Sequence, residues 1–220
     1  MRHVKGLVFD AYGTLLDVGS VAAACEAHIP GRGDALSRLW RQRQLEYTWQ
    51  RSLMGCHVDF WQVTGDALAY ACAALGCPAD PPTLAALREG YLTLAPFIEV
   101  PAALARLAPQ RRIVLSNGTP VMLRTALGNA GLLPHLEAVL SVEIAGIFKP
   151  APQVYALATT YLGCHPDEVL FVSANGWDVA GAAHAGLGTC WLNRSAAPPE
   201  MLDVTPTLIV RDLANLADQL

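Results

Sequence analysis

Charge is scarce in this chain. Only 15% of its 220 residues are Asp, Glu, Lys or Arg, 53% are hydrophobic, and the formal net charge is -4. No run of basic residues occurs, so the electrostatic footprint of a nucleic-acid-binding surface is missing. So apolar a composition equally excludes a disordered chain. Lysine is rarer still: Lys5 and Lys149 stand against thirteen arginines, which makes an internal lysine followed by proline worth attention. Long hydrophobic runs are lacking, and none approaches the roughly 18 residues of a membrane-spanning helix. The few apolar residues before Asp10 are too short for a signal-peptide core and are needed as a strand. No CxxC pair exists among the six cysteines at positions 25, 56, 72, 77, 164 and 190. Free buried thiols in a reducing, cytoplasmic setting are expected rather than a zinc site or a disulfide framework.

What is present is a regular alternation of elements. Residues 5 to 10 read as a strand. From about 18 to 95 no strand is convincing and several helices are. One runs from a cap at Asp34 to about Leu53 and is stopped by Gly55. Another follows Asp59 and Gln62, at capping-box spacing, and ends at Gly76. A third starts at Pro81-Pro82 and continues through Leu94. Beyond about 99 helices and strands alternate: helix 101–108, strand 112–115, helix 120–130 behind a Thr119 cap and Pro120, strand 139–142, helix 152–162, strand 169–172, helix 178–185, strand 188–192, strand 207–210, and a last helix capped by Asp212. Such alternation implies right-handed crossovers and a parallel sheet. The expected fold is α/β: a doubly wound parallel sheet formed by 1–15 and 97–220, with an all-helical cap, 16–96, inserted after the first strand.

Several strand ends carry polar residues, and a parallel sheet would gather them at one crevice. The first strand ends at Asp10, followed by Ala11-Tyr12-Gly13-Thr14-Leu15. Strand 112–115 runs into Ser116-Asn117-Gly118. Lys149-Pro150 follows strand 139–142. Strand 169–172 runs into Ser173-Ala174-Asn175-Gly176-Trp177-Asp178. Each piece has a plain alternative: a strand-end aspartate caps turns, Ser-Asn-Gly is ordinary turn chemistry, a loop lysine is usually solvated, and Asp178 serves as well as a helix cap. The combination is more specific than its parts.

In this order and spacing, Asp, Ser, Lys-Pro and Asp resemble the four motifs of the haloacid dehalogenase superfamily, whose first Asp is a nucleophile. Most members are phosphatases with a second Asp two residues on, which protonates the leaving alkoxide. Here Tyr12 occupies that place, and a phenol with a pKa near 10 is a poor acid. Phosphatases also commonly have Gly-Asp where this chain has Ser173-Ala174, and that acid helps to hold Mg²⁺. A halide leaves without a proton and its site needs no metal, so both losses fit one change of chemistry. The resemblance narrows to the L-2-haloacid dehalogenases through Leu39-Trp40-Arg41-Gln42-Arg43-Gln44-Leu45-Glu46-Tyr47, Phe148-Lys149-Pro150 and Tyr155, six residues after Lys149.

That resemblance implies hydrolytic dehalogenation of short L-2-haloalkanoates to D-2-hydroxy acids, with inversion at C2 and no cofactor or metal. Asp10 would attack C2 and form an ester, which water then opens at the carboxyl carbon. Lys149 would be its counter-charge. Ser173, Asn175 and Asp178 would organise Lys149 and the water, with Thr14 and Tyr155 as supporting hydrogen-bonders. Ser116 and the backbone at Ala11 would bind the substrate carboxylate. Arg41, Asn117 and the edge of Trp177 would receive the halide ion. Tyr12, Gln42, Leu45, Phe60 and Trp177 would wall the substrate's side chain. Cys56-His57 reads as ordinary cap variation. The implied partners are the 2-haloacid, the halide and a second copy of the chain in a homodimer, with neither nucleic acid nor membrane. The alternatives are an Mg²⁺-dependent phosphatase of the same fold, a catalytically idle binding protein, and a receiver domain, which would be shorter and uncapped.

Overall fold

The computed structural model describes residues 4–220; the first three residues, part of the signal-peptide reading, lie outside them. Six strands form one parallel sheet in the order β3-β2-β1-β4-β5-β6. These are β1 (Gly6–Phe9), β2 (Arg111–Ser116), β3 (Ala138–Ser141), β4 (Val169–Ser173), β5 (Gly188–Leu192) and β6 (Leu208–Val210). β1 and β4 are buried along their whole length, as expected of central parallel strands covered on both faces. Register aligns Phe9 with Val114 on one side and with Val172 on the other. The carboxyl ends of β1, β2 and β4 therefore lie side by side. β1 is also where the strand order reverses, the point at which open α/β sheets bind ligands.

Between β1 and β2 the chain inserts α1 (Ser20–His28), α2 (Gly33–Met54), α3 (Phe60–Ala74) and α4 (Pro81–Glu89), then a 3-10 turn at Gly90–Leu92 and α5 (Val100–Arg106). The rest alternates through α6 (Pro120–Asn129), α7 (Pro152–Leu162), α8 (Gly176–His184) and α9 (Leu213–Ala217). α7 packs with α8 and α5 with α9, the pairing expected when right-handed crossovers change direction at β1. The sheet, the flanking helices and the inner face of the insertion share one hydrophobic core.

Local signals explain most boundaries. Asp59, Asp80, Thr119 and Asp212 each accept a backbone N–H at a helix start, and Gly55 and Gly163 end α2 and α7 in the left-handed region. Three expectations are corrected. Asp34 lies inside α2 and does not cap it, because Glu26 accepts the N–H groups of Gly31 and Gly33 and starts the helix at Gly33. The third helix of the insertion stops at Glu89 and tightens into the 3-10 turn before Leu94. α8 begins two residues before Asp178, so that carboxylate is in its first turn and not at its cap. The cysteines are free, but they are not all buried: Cys56 is exposed.

Candidate active site

Asp10 leaves the end of β1 with its own N–H bonded to the Val172 carbonyl of β4 (3.0 Å). The next turn folds back at once: the Ala11 carbonyl accepts from the N–H groups of Thr14, Leu15 and Leu16, and Gly13 takes φ +88, open to glycine at little cost. This turn carries Thr14 back to the carboxylate. Thr14 Oγ1 donates to Asp10 Oδ2 at 3.1 Å and Asn175 Nδ2 donates to the same oxygen at 2.8 Å. Lys149 Nζ donates to Asp10 Oδ1 at 3.2 Å and to Asp178 Oδ2 at 2.9 Å. Lys149 is only 1% exposed, with its ammonium 4.7 Å from the centre of the Phe171 ring. A buried charge survives only when it is paired and hydrogen-bonded, and here one ammonium bridges two carboxylates.

Asp178, fully buried, is held from behind by Tyr155, whose hydroxyl donates to Oδ1 at 2.7 Å. Burial pushes the Asp178 carboxyl up to about 6; the Lys149 ammonium opposes this shift and the Asp10 charge adds to it. Burial, then the Asp178 charge, raises the Tyr155 phenol well above its usual range, so it stays a donor. The approach of Tyr155 depends on Gly181: a Cβ built there would stand 2.5 Å from the Tyr155 hydroxyl and 2.5 Å from Pro150 Cβ.

Asn175 occupies the N-cap position of α8, yet its side chain makes no cap bond. The amide is committed to Asp10 and to the Tyr12 carbonyl, a local rule set aside at a site. Ser173 Oγ accepts the Asn175 N–H (3.1 Å) and lies 3.5 Å from Thr14 Oγ1. Ser116 accepts the Gly118 N–H at 3.4 Å, and Asn117 Oδ1 accepts the Lys149 N–H at 3.1 Å. Gly118 leaves space for Tyr12, since a Cβ there would meet the tyrosine ring at 2.9 Å.

These strand-end groups face α2 and α3 across a small cavity lined by Asp10, Tyr12, Ser116, Asn117, Lys149, Asn175 and Trp177, with Arg41, Leu45 and Phe60 from the insertion. Its free volume is about 10 Å³, so the walls must part to admit anything larger than a water molecule. Beyond Trp177 an apolar groove of about 440 Å³ shares Lys149 and Trp177 with it and is otherwise lined by Trp49, Leu53, Phe148 and their neighbours. A groove of about 420 Å³ beside Trp61 and Arg88 contains none of the strand-end residues. Tyr12 is 3% exposed with its hydroxyl unpartnered, and burial raises its pKa further. The ring packs on Phe60 and Tyr91 at 5.9 Å each.

Most of the residues anticipated from sequence converge here. Gln42 does not. It is exposed, and its amide donates along α2 to Glu46 at 2.7 Å. The reason is helical geometry: Arg41 and Leu45 share one face, and Gln42 is turned about 100° from Arg41 around the helix. Ala11 supplies backbone behind the cavity, of which its side chain is not a lining group. Among the described residues no group of three His, Cys, Asp or Glu is placed to hold a metal ion.

Other residues at the crevice were missed. Gln44 is completely buried and bonds Arg41, Tyr91 and Thr64. The signal was present: Leu36, Trp40, Gln44 and Thr48 make a buried i,i+4 ladder along α2, and a glutamine inside such a ladder needs partners. His57, read as ordinary variation, spans the seam to Glu143 at 3.3 Å. Arg194 donates to the Gly13 and Thr14 carbonyls and to Glu99, and stacks 3.8 Å over Phe97. It thereby ties the turn after Asp10 to the chain segment leaving the insertion. No local pattern announces either contact, because the partners are far apart in sequence.

Residues 4–186, which carry β1 through α8 and so every strand-end group above, match the family of haloacid dehalogenase-like hydrolases, and the chain belongs to that family. Within it the similarity is to L-2-haloacid dehalogenases. (S)-2-haloacid dehalogenase H-109 of Pseudomonas putida is 45% identical over 222 residues, covering 100% of this chain and 99% of the relative. The (S)-2-haloacid dehalogenase of Xanthobacter autotrophicus is 49% identical over 191 residues, 87% of this chain and 76% of the relative. A solved structure of L-2-haloacid dehalogenase from Xanthobacter autotrophicus with chloropropionic acid covalently bound superposes with a TM-score of 0.93 at 42% identity, covering 98% of this chain and 97% of that one. Among the described residues no helix is long and apolar enough to cross a membrane.

Proposed function

We propose that this enzyme hydrolyses the carbon–halogen bond of short L-2-haloalkanoic acids, giving D-2-hydroxy acids through an ester on Asp10, with inversion at C2 and without a metal. The observation that carries this reading is the Asp10–Lys149–Asp178 chain beside a tyrosine at position 12. Asp10 is held by three donors from three elements. That restrains the carboxylate for attack along the axis opposite the halogen, and such positioning supplies several kcal/mol of a displacement barrier, up to about 7–11 in the best-oriented cases. Tyr12, buried and raised in pKa, is no acid for an alkoxide, whereas halide departs unprotonated. The ammonium of Lys149 neutralises Asp10 and takes over part of what a metal does in the family's phosphatases.

The remaining roles are those the family resemblance implies, and the hydrogen bonds around Lys149 and Asp10 support them. Tyr155 and Asp178 orient Lys149; Ser173, Asn175 and Asp178 organise the water that opens the ester, while Thr14 steadies Asp10. Ser116 and the Ala11 backbone face the substrate carboxylate. Arg41, with Asn117 and Trp177, takes the departing halide, since a guanidinium is weakly hydrated and always charged. Tyr12, Leu45, Phe60 and Trp177 surround the alkyl group. The helical segment 16–96 serves as a cap that parts from the core of 1–15 and 97–220. Its two linkers are paired, Asp17 N–H to the Ala95 carbonyl at 2.8 Å and Phe97 N–H to the Leu15 carbonyl at 3.1 Å, which makes them a compact hinge. The covalently bound chloropropionic acid in the Xanthobacter autotrophicus relative supports the ester route. A homodimer, cytoplasmic residence and the lack of nucleic-acid or membrane partners complete the reading; light scattering tests the first.

The deciding experiment offers the protein L-2-chloropropionate, its D-enantiomer and para-nitrophenyl phosphate, each with EDTA or with Mg²⁺. Chloride release from the L-form in EDTA is expected. Phosphate release that requires Mg²⁺ would replace this reading with the phosphatase. In H₂¹⁸O a single turnover should leave the label in Asp10, and label found first in the product would rule out the ester.

A further inference from the structure

Arg41 sits on a half-exposed helix, and among the described residues no hydrogen bond ties it to the strand-end groups, while the Tyr91 hydroxyl lies within its reach. Its guanidinium Nη1 instead donates to Gln44 Oε1 at 2.6 Å, one turn along α2. Gln44 is 0% exposed, an unusual place for an amide. Its Oε1 also lies 3.4 Å from the Tyr91 hydroxyl, and its Nε2 donates to Thr64 Oγ1 of α3 at 2.8 Å. The Thr64 hydroxyl hydrogen is committed to the Phe60 carbonyl at 2.7 Å, and the Thr64 carbonyl accepts from Trp40 Nε1 at 2.8 Å. These bonds leave the amide one orientation. Flipped, it would set its NH₂ against the guanidinium and its oxygen against a hydroxyl whose hydrogen is already spent. Tyr91 is equally fixed, packed edge-on to Trp40 at 5.0 Å and against Tyr12 at 5.9 Å. An arginine has several free torsions; the bond to this fixed network restrains them before any ligand arrives.

We propose that Gln44, braced by Tyr91 and Thr64, is a positioning residue that aims the Arg41 guanidinium at the departing halide. This rests on the reading of Arg41 as the halide's counter-charge. The chemistry makes the role specific. A poor leaving group needs more stabilisation of its developing charge than a good one, so a loosened Arg41 harms chloride displacement more than bromide displacement. Damage to packing alone would slow both alike.

The test compares Gln44→Leu, which keeps bulk but no acceptor, with Tyr91→Phe and Arg41→Ala. kcat/KM is measured on L-2-chloropropionate and L-2-bromopropionate, with thermal unfolding alongside. Gln44→Leu is expected to lower kcat/KM about 10- to 100-fold on the chloride, the scale of a small misplacement, and at least about threefold less on the bromide, by the charge argument above. Tyr91→Phe, which keeps the ring packing, should show the same leaving-group bias at about two- to fivefold, the scale of one weak neutral hydrogen bond. Equal losses on both substrates would assign Gln44 to structure and overturn the proposal, as would rates within about twofold of the parent, too small for a lost hydrogen bond. Should Gln44→Leu fail to fold, Gln44→Met, which also lacks the acceptor, decides by the same bias rather than Tyr91→Phe, since the Tyr91 hydroxyl also lies within reach of Arg41. Arg41→Ala separates the two ideas. If it turns over normally, the halide assignment itself falls; if it is dead while Gln44→Leu is normal, only the positioning role falls.

Discussion

Lys149 and Arg41 are the two cations of the crevice, and they are held in opposite ways. Lys149, on the sheet side, is buried between two carboxylates, and the strands and helices that carry those partners are bound to one another through the sheet. Arg41, on the helical side, is partly exposed and bonded to a neutral amide of its own helix. The seam between the sides is mainly apolar, with Tyr12 packed on Phe60 and Tyr91 and Phe60 on Phe148. Ser52 accepts the Phe148 N–H at 3.2 Å, His57 meets Glu143 at 3.3 Å, and Trp49 packs edge-on to Trp177 at 5.5 Å. The contrast has a physical reading: the groups proposed to attack and hydrolyse are fixed by charge and burial, whereas the proposed halide site hangs on a wall joined to them mainly by apolar packing.

Breaking the sheet side should have the largest effect. Lys149→Met leaves Asp10 and Asp178 as buried, unpaired carboxylates, and removing one partner of such a pair typically costs about 3–5 kcal/mol. Urea unfolding should show that loss, and turnover should vanish. A variant as stable as the parent would show that the three-charge chain is not the rigid part of the site.

Gly181→Ala strikes the same side from behind. The new Cβ would crowd Tyr155 and Pro150, and overpacking of this kind costs about 1–3 kcal/mol. Activity should fall more than the loss of stability explains, because the Tyr155 bond to Asp178 is disturbed. Unchanged kcat would remove Tyr155 from the positioning of Lys149.

The pH profile sharpens the comparison further. With Asp178 raised to about 6, kcat/KM should fall as pH drops through that value, since a protonated Asp178 no longer pairs with Lys149. The apparent value belongs to the coupled cluster rather than to one residue. Stability moves in the opposite sense: an acid whose folded pKa lies above its unfolded value favours the fold fully below about 4, and that contribution is lost as pH rises through about 6. A rate flat down to pH 4.5 would contradict the role of Asp178.

The smallest effect belongs to the seam. His57→Ala should cost less than about 1 kcal/mol, the usual worth of a partly exposed pair, and should alter KM a few-fold while leaving the displacement step intact. A loss above about 2 kcal/mol would make the seam as rigid as the floor and dissolve the contrast.

The residues legible in sequence were those whose neighbours in the chain explain them. Asp10, Ser116 and Ser173 stand at the ends of apolar runs, Lys149 is one of only two lysines, and Tyr12 is read by its distance from Asp10. Gln42, expected from the resemblance and from its place beside Leu45, lies outside the cavity because its amide turns along α2 to Glu46. Gln44 had a signal in its buried ladder, but its partners Thr64 and Tyr91 lie 20 and 47 residues away. His57 and Arg194 gave no signal, since their work is done across 86 and about 180 residues.

By itself the order of residues determined the alternation of elements, the helical insertion after β1 and the identity of the groups at the strand ends. Periodicity, caps and turn residues are local, and a parallel sheet brings its strand ends together whatever else packs around it. Only the tertiary structure decided which oxygen of Asp10 each donor holds, that Asp178 rather than solvent completes Lys149, and that a buried glutamine restrains Arg41. Those are properties of distance and burial between segments remote in the chain, where charge and hydrogen-bond energies take their value from what surrounds them.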